Sequence, residues 1–252
     1  MQAEHRQLPF TVRMDWGLDG AAAIGGVDVA VVVDVLSFST CVCVAAETGI
    51  VVLPYGSADH GAAAYAAERD AALAVGRSDA GPGQISLSPA TIRAARGVER
   101  LVLPSPNGST IAAHLKGCGG SVVAGCLRNA DAVARWLTDR LGADGGTVGV
   151  VAAGERWPGG RLRPAVEDLW GAGAVVSALL CAGWTRPSPE AATAAAAFRA
   201  ARGDLPARLL ECASGAELVA LGFSGDVALA AEVDTSRAVP LLGEAGFEDV
   251  AG

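Results

Sequence analysis

The chain has 252 residues, 51% of them apolar and 18% charged, so a packed core is within reach and wholesale disorder is excluded. Its formal net charge is −8, from 19 Lys and Arg against 27 Asp and Glu, and it has a single lysine, Lys116, which argues against duplex DNA or RNA as a partner. A small anion stays compatible with this charge if local arginines or a metal ion hold it.

The first residues carry His5, Arg6, Arg13 and Asp15 and no long apolar stretch, so no signal peptide is predicted. No apolar run approaches the roughly 20 residues of a membrane span, and none is predicted. The cysteines at 41, 43, 118, 126, 181 and 212 form no C-x-x-C pair and read as free thiols of a reducing, cytoplasmic compartment. From there the chain alternates. A strand is predicted at 29–33, "VAVVV", and it ends on Asp34; a helix follows at 39–47 and stops before Gly49. Next come a strand at 50–53, an Ala-rich helix at 58–72 and a strand at 73–75. Ser88-Pro89 pairs an N-cap with an N1 proline and opens a helix to about Arg96. Strands at 101–103, 121–124 and 147–152 alternate with the turn "SPNGST" and with a helix at 130–141 that Asn129 is placed to cap. A long apolar helix is predicted at 166–181, then helices with Gly and Pro punctuation, then a last strand in "RAVPLL" at 237–242.

Short Val- and Leu-rich strands alternating with helices predict a three-layer α/β/α fold with a mostly parallel central sheet. The expected organisation is one α/β domain over 1–252, with the helix-rich segment at about 185–235 as a cap or subdomain. In such a sheet ligands sit beyond the carboxyl ends of the strands, so the residues found there are the candidates. They are Asp34 and Ser37 after the first strand, Arg77 after the third, Asn107, Gly108, Ser109 and Thr110 after the fourth, and Arg128 and Asn129 after the fifth. Gly154, Glu155 and Arg156 follow the sixth, and lead on to Glu167 and Asp168 at the start of the long helix. A carboxylate beside an anion site repels the anion unless a cation lies between them. Mg²⁺ suits that place, since it takes one or two carboxylates and phosphate oxygens. The same acids could instead serve as helix caps.

Several mechanisms lack their signatures. There is no G-x-x-x-x-G-K-[ST], no G-x-G-x-x-G after a strand and no G-x-S-x-G. The acid that haloacid-dehalogenase phosphatases need two residues after the first is absent, because Val35 and Leu36 follow Asp34. His5, His60 and His114 lie away from the predicted strand ends, which disfavours a zinc or histidine-based site.

"VVVDVLSFST", "SPNGST", "GCLRNADAVARWL", "VVAAGE", "AVEDLWGAGAVV" and "ASGAELVALGFSGDVALAAEVDTSRAVPLL" occur in an order that resembles the 2-phosphosulfolactate phosphatase family, over about residues 27–242. The resemblance implies a three-layer α/β/α fold and Mg²⁺-dependent removal of phosphate from 2-phosphosulfolactate, a step of coenzyme M biosynthesis. It implies a metal and phosphate site made of Asp34, Asn107, Gly108, Ser109, Asn129, Glu167 and Asp168. The family commonly has arginine where this chain has Ser37 and Thr110, and each lost charged hydrogen bond is worth roughly 1.5–3 kcal/mol. Arg77, Arg128, Arg156 or Arg163 would have to replace them.

The expected function is therefore a Mg²⁺-dependent phosphatase, a phosphoric monoester hydrolase, acting on a small anionic phosphate ester. Asp34 would bind the metal or act as nucleophile. Glu167 and Asp168 would complete the metal shell or activate water, and residues 107–110 with Arg77 or Arg128 would hold the phosphoryl oxygens. Two alternatives stay open: a non-catalytic small-anion binding protein on the same scaffold, and a cysteine hydrolase of isochorismatase-like type built on Asp34, Lys116 and Cys126. No nucleic-acid or membrane partner is expected, and a homo-oligomer is compatible with the sequence.

Overall fold

The computed structural model describes residue 2, residues 4–56 and residues 60–251. In chain order its strands are β1 (Val12–Trp16), β2 (Val29–Val33), β3 (Val51–Tyr55), β4 (Ala72–Leu73), β5 (Arg100–Pro104), β6 (Ser121–Gly125), β7 (Val148–Ala152), β8 (Glu155–Arg156), β9 (Leu162–Arg163), β10 (Pro240–Leu242) and β11 (Phe247–Asp249). The helices are α1 (Gly17–Ile24), α2 (Phe38–Glu47), α3 (His60–Ala67), α4 (Pro89–Ala94), α5 (Gly108–Gly117) and α6 (Ala130–Leu141). After them come α7 (Val166–Cys181), α8 (Pro189–Ala201), α9 (Leu205–Glu211), α10 (Ala213–Ala220) and α11 (Ser224–Ala230).

Nine strands form the main sheet in the order β1-β7-β2-β6-β10-β11-β3-β5-β4, while β8 and β9 make a separate small hairpin. The run "VAVVV" forms β2 because branched side chains suit a pleated surface that is covered on both sides. Its alternate residues divide between two cores. Val29, Val31 and Val33 pack with Leu137, Val175 and Phe198 from α6, α7 and α8. Ala30 and Val32 pack with Phe38, Val42, Ile111 and Leu115 from α2 and α5. This two-sided burial gives the α/β fold its layers, as the sequence predicts. Leu205, Leu209, Leu218 and Val227 from α9–α11 join the first of these cores.

Registers place the site. β2 lies between β7 and β6, with Val33 opposite Ala152 on one side and Gly125 on the other. Asp34 therefore emerges level with Ala153 and Cys126. α7 crosses this end at close range because Gly171 lacks a side chain: a Cβ there would lie 2.5 Å from a Val35 methyl.

Two features depart from the sequence reading. β1 and β11 are not among the predicted strands; β1 alternates apolar Val12, Met14 and Trp16 with Arg13 and Asp15 at the edge beside β7. The predicted helix at 58–72 spans residues 60–67 in the described chain and is broken by Asp70 at φ 49°; positions 58 and 59 lie outside the described residues. The sheet is mostly parallel, as expected, and mixed where β10 and β11 join it. β10 runs antiparallel to β6, β11 to β10 and β3 to β11, so β3, β5 and β4 have the opposite ladder polarity to β2. Five ladder steps separate β2 from β5, and right-handed twist accumulates to roughly 100° over them. The β5–α5 turn nonetheless reaches the end of β2, where the Gly108 N–H bonds to Asp34.

Candidate active site

Asp34 is buried where β2 stops. Its Oδ1 accepts the backbone N–H of Phe38 at 3.1 Å, in the first turn of α2, and its Oδ2 accepts that of Gly108 at 3.2 Å, in the first turn of α5. Two helix N-termini thus converge on one carboxylate, each with favourable dipole direction. The Asp34 backbone is fixed as well, by a reciprocal pair of 2.8 Å bonds with the Ser39 hydroxyl. Thr40 donates to the Val35 carbonyl at 2.7 Å. The hydroxyl-rich segment after β2 therefore ties down its own loop.

Asp168 bridges two strand ends. Its Oδ1 accepts Val35 N–H at 2.7 Å and its Oδ2 accepts Gly154 N–H at 2.8 Å. Glu167, beside it in the first turn of α7, is also buried and acts electrostatically on Asp34, Glu155 and Asp168. Burial pushes the Asp34 carboxyl up to about 6, against the pull of the Phe38 and Gly108 N–H groups and the Arg77 charge. Burial and the charges of Asp34 and Glu167 push Asp168 well above the usual carboxylate range.

Sequence reasoning gives Glu155 no role. It follows β7, and burial with the charges of Asp34 and Glu167 pushes its carboxyl up to about 7. Asn107 donates to it at 3.1 Å, and Arg163, its partner across the β8–β9 hairpin, opposes the shift. Beside it lies a cleft of about 220 Å³ lined by Trp16, Asp19, Asn107, Thr110, Glu155 and Arg156. The segment's strand-end position is its only signal in the sequence.

The other predicted residues divide. Arg77 joins the site: its Nη2 donates to the Ser37 hydroxyl, three residues beyond Asp34. Asn107 and Gly108 join it as described, and Thr110 lines the cleft. Ser109 turns its hydroxyl back to the Leu103 carbonyl at 3.1 Å. Arg128 commits Nη2 to Glu47 at 2.9 Å and Nη1 to Glu232 and the Leu229 carbonyl. Asn129 accepts from Cys126 N–H at 2.8 Å and donates to the Ala124 and Ala238 carbonyls, so it braces the turn after β6. Its side chain makes no cap bond to α6. Lys116 donates to the Leu242 carbonyl at 2.9 Å, and Cys126 is fully buried with its hydrogen bond to Cys43. The lysine of a cysteine hydrolase is thus engaged elsewhere.

Among the described residues, no three His, Cys, Asp or Glu side chains converge as a ready-made metal cage. Mg²⁺ does not need one, because it keeps waters and takes one or two carboxylates. The donor set suits such a hard cation: several acids share a dry strand end and raise one another's proton affinity. Each carboxylate oxygen that accepts one N–H keeps a second lone pair.

Comparison with known proteins points in one direction. A family described as 2-phosphosulpholactate phosphatase matches residues 21–245. A probable 2-phosphosulfolactate phosphatase of Deinococcus radiodurans is 32% identical over 225 residues, covering 85% of this chain and 88% of that protein. A second protein with that name, from Thermus thermophilus, is 32% identical over 218 residues with the same shares covered.

Two outcomes test this geometry. A Cβ at Gly108 would lie 2.3 Å from Phe38 Cδ1, so Gly108→Ala must displace either the buried Phe38 ring or the start of α5, and both residues donate an N–H to Asp34. Urea unfolding should show a loss of about 1–3 kcal/mol, and phosphatase activity should fall with it. The second outcome concerns Glu155, whose carboxyl rises from an ordinary 4.5 to about 7 on folding. The native state then binds the proton more tightly, so stability falls as pH rises from about 4.5 to about 7. In EDTA, Glu155→Gln should gain on the order of 1 kcal/mol at pH 8 and nothing near pH 4.5, after allowance for solvent screening. An equal effect at both pH values would contradict the placement.

Proposed function

The chain belongs to the 2-phosphosulfolactate phosphatase family and is a phosphoric monoester hydrolase, and on that premise we propose that it hydrolyses 2-phosphosulfolactate, or a phosphate ester of like size and charge, with Mg²⁺. The observation that carries this reading is the burial of Asp34, Glu167 and Asp168, from positions 34 and 167–168 of the chain, near enough for their charges to act on one another and on Glu155. Asp34 and Glu167 are the residues assigned to the metal. Asp168, with both oxygens on backbone N–H groups, aligns the loops after β2 and β7. When bound, Mg²⁺ would neutralise charge on the phosphoryl oxygens.

The protein groups divide the remaining work. Arg77 supplies the cation for the anionic ester, its guanidinium reaching across to Ser37, which stands where the family commonly has an arginine. A water oxygen attacks phosphorus, and one of its protons passes to a carboxylate of the cluster. The phosphorus–oxygen bond to the alcohol breaks, and Glu155 gives its proton to the departing alkoxide. A carboxyl raised to about 7 is suited to that transfer near neutral pH. Asn107 keeps Glu155 oriented. The product alcohol from 2-phosphosulfolactate would be sulfolactate, and the family resemblance implies a step of coenzyme M biosynthesis.

We assign the chain to the cytoplasm. Its six cysteines are all unpaired, which suits a reducing compartment, and among the described residues no helix is long and apolar enough to cross a membrane.

Phosphate release should be measured from 2-phosphosulfolactate and a panel of small acidic phosphate esters. Activity should drop at least about a hundredfold in EDTA and in Asp34→Asn, and Mg²⁺ should restore it in the wild type only. Equal rates with Mg²⁺ and EDTA would contradict the metal assignment. Ligand-induced stabilisation without turnover would favour the non-catalytic binding protein instead.

A further inference from the structure

Asp226, in α11, is only 2% exposed, yet it takes no part in the carboxylate cluster. Its Oδ2 accepts Arg77 Nε at 3.1 Å. Its Oδ1 accepts the Ser88 hydroxyl at 2.6 Å and Ala90 N–H at 3.4 Å. The carboxylate is therefore held from two sides, by Arg77 on one and the start of α4 on the other. Arg77 comes from a single 3₁₀ turn, Arg77–Asp79, and no strand fixes its backbone. Its guanidinium spans from Asp226 to Ser37, and its charge acts on Asp34. Among the described residues, Nη1 makes no hydrogen bond.

A buried ion pair of this kind contributes little net stability, because desolvation offsets most of the attraction. It does remove rotational freedom from a long, rotamer-rich side chain. We propose that Asp226, braced by Ser88, is a positioning residue that holds the Arg77 guanidinium against Ser37 with its charge toward Asp34, so that its unpaired N–H groups meet the anionic oxygens of the substrate. The proposal rests on Arg77 being the anion clamp assigned above. It gives the C-terminal helices a part in substrate capture, 149 residues along the chain from the arginine they hold.

The test compares Asp226→Asn, Ser88→Ala, Arg77→Ala and the Asp226→Asn/Arg77→Ala double variant, with inorganic phosphate as competitive inhibitor. In Asp226→Asn, KM and the phosphate inhibition constant should rise together by about tenfold, with kcat within about threefold of wild type. In the Arg77→Ala background, Asp226→Asn should add nothing. A folded Asp226→Asn with both constants unchanged, or full additivity in the double variant, overturns the proposal. Should Asp226→Asn fail to fold, Ser88→Ala decides: a rise of about threefold in both constants supports the proposal, and unchanged constants overturn it. If Arg77→Ala raises both constants while Asp226→Asn leaves them alone, only the positioning role falls. If Arg77→Ala itself leaves them alone, the clamp assignment falls with it.

Discussion

Burying Asp34, Glu167 and Asp168 together, with Glu155 beside them, costs free energy that several other groups must offset. Backbone N–H groups offset much of it, Phe38 and Gly108 at Asp34, and Val35 and Gly154 at Asp168. These donors come from the segments after β2, β5 and β7. The carboxylates therefore act as staples that draw three loops into one place. Two arginines add charge, Arg77 toward Asp34 and Arg163 toward Glu155, and protons supply the rest by way of raised carboxyl pKa values. On the metal assignment proposed above, a cation would replace those protons.

The fold delivers these groups through register and close packing. β2 lies between β7 and β6, so Asp34 and the segment from Ala153 to Glu155 leave the sheet side by side. Small residues along α7 let that helix press onto the end of β2, and its first turn carries Glu167 and Asp168. The C-terminal helices close the remaining side. Cys212, at the start of α10, has its thiol pushed up to about 12 by burial and then by the Glu167 charge, which places α10 against the same carboxylate. Ser214 accepts from Arg163 at 3.1 Å, and Asp226 holds Arg77.

Much of this is legible in the sequence where one physical signal dominates. A Val run that stops on an acid marks β2 and Asp34. A long small-residue helix opening on two acids marks α7 with Glu167 and Asp168, and "SPNGST" marks the turn that presents Gly108. What stays hidden depends on distant partners. Arg128 follows a strand, as a site arginine would, but its carboxylates Glu47 and Glu232 lie 81 and 104 residues away and claim it for packing. Asn129 has the sequence position of a helix cap, yet its amide spans Cys126, Ala124 and Ala238. Asp226 sits in an ordinary helix-start sequence and acquires meaning only beside Arg77. Strand-end position tells which residues can reach a cleft; long-range pairing decides which of them do.

The central claim is that a divalent ion takes the place of protons shared among buried carboxyls. Calorimetric titration of Mg²⁺ into the metal-free protein near pH 6.5, in buffers of different ionisation enthalpy, tests it most directly. Saturable binding with release of about one proton per site is expected, reduced in Glu167→Gln. Binding without proton release, or no Mg²⁺ binding at millimolar concentration with phosphate present, would contradict it.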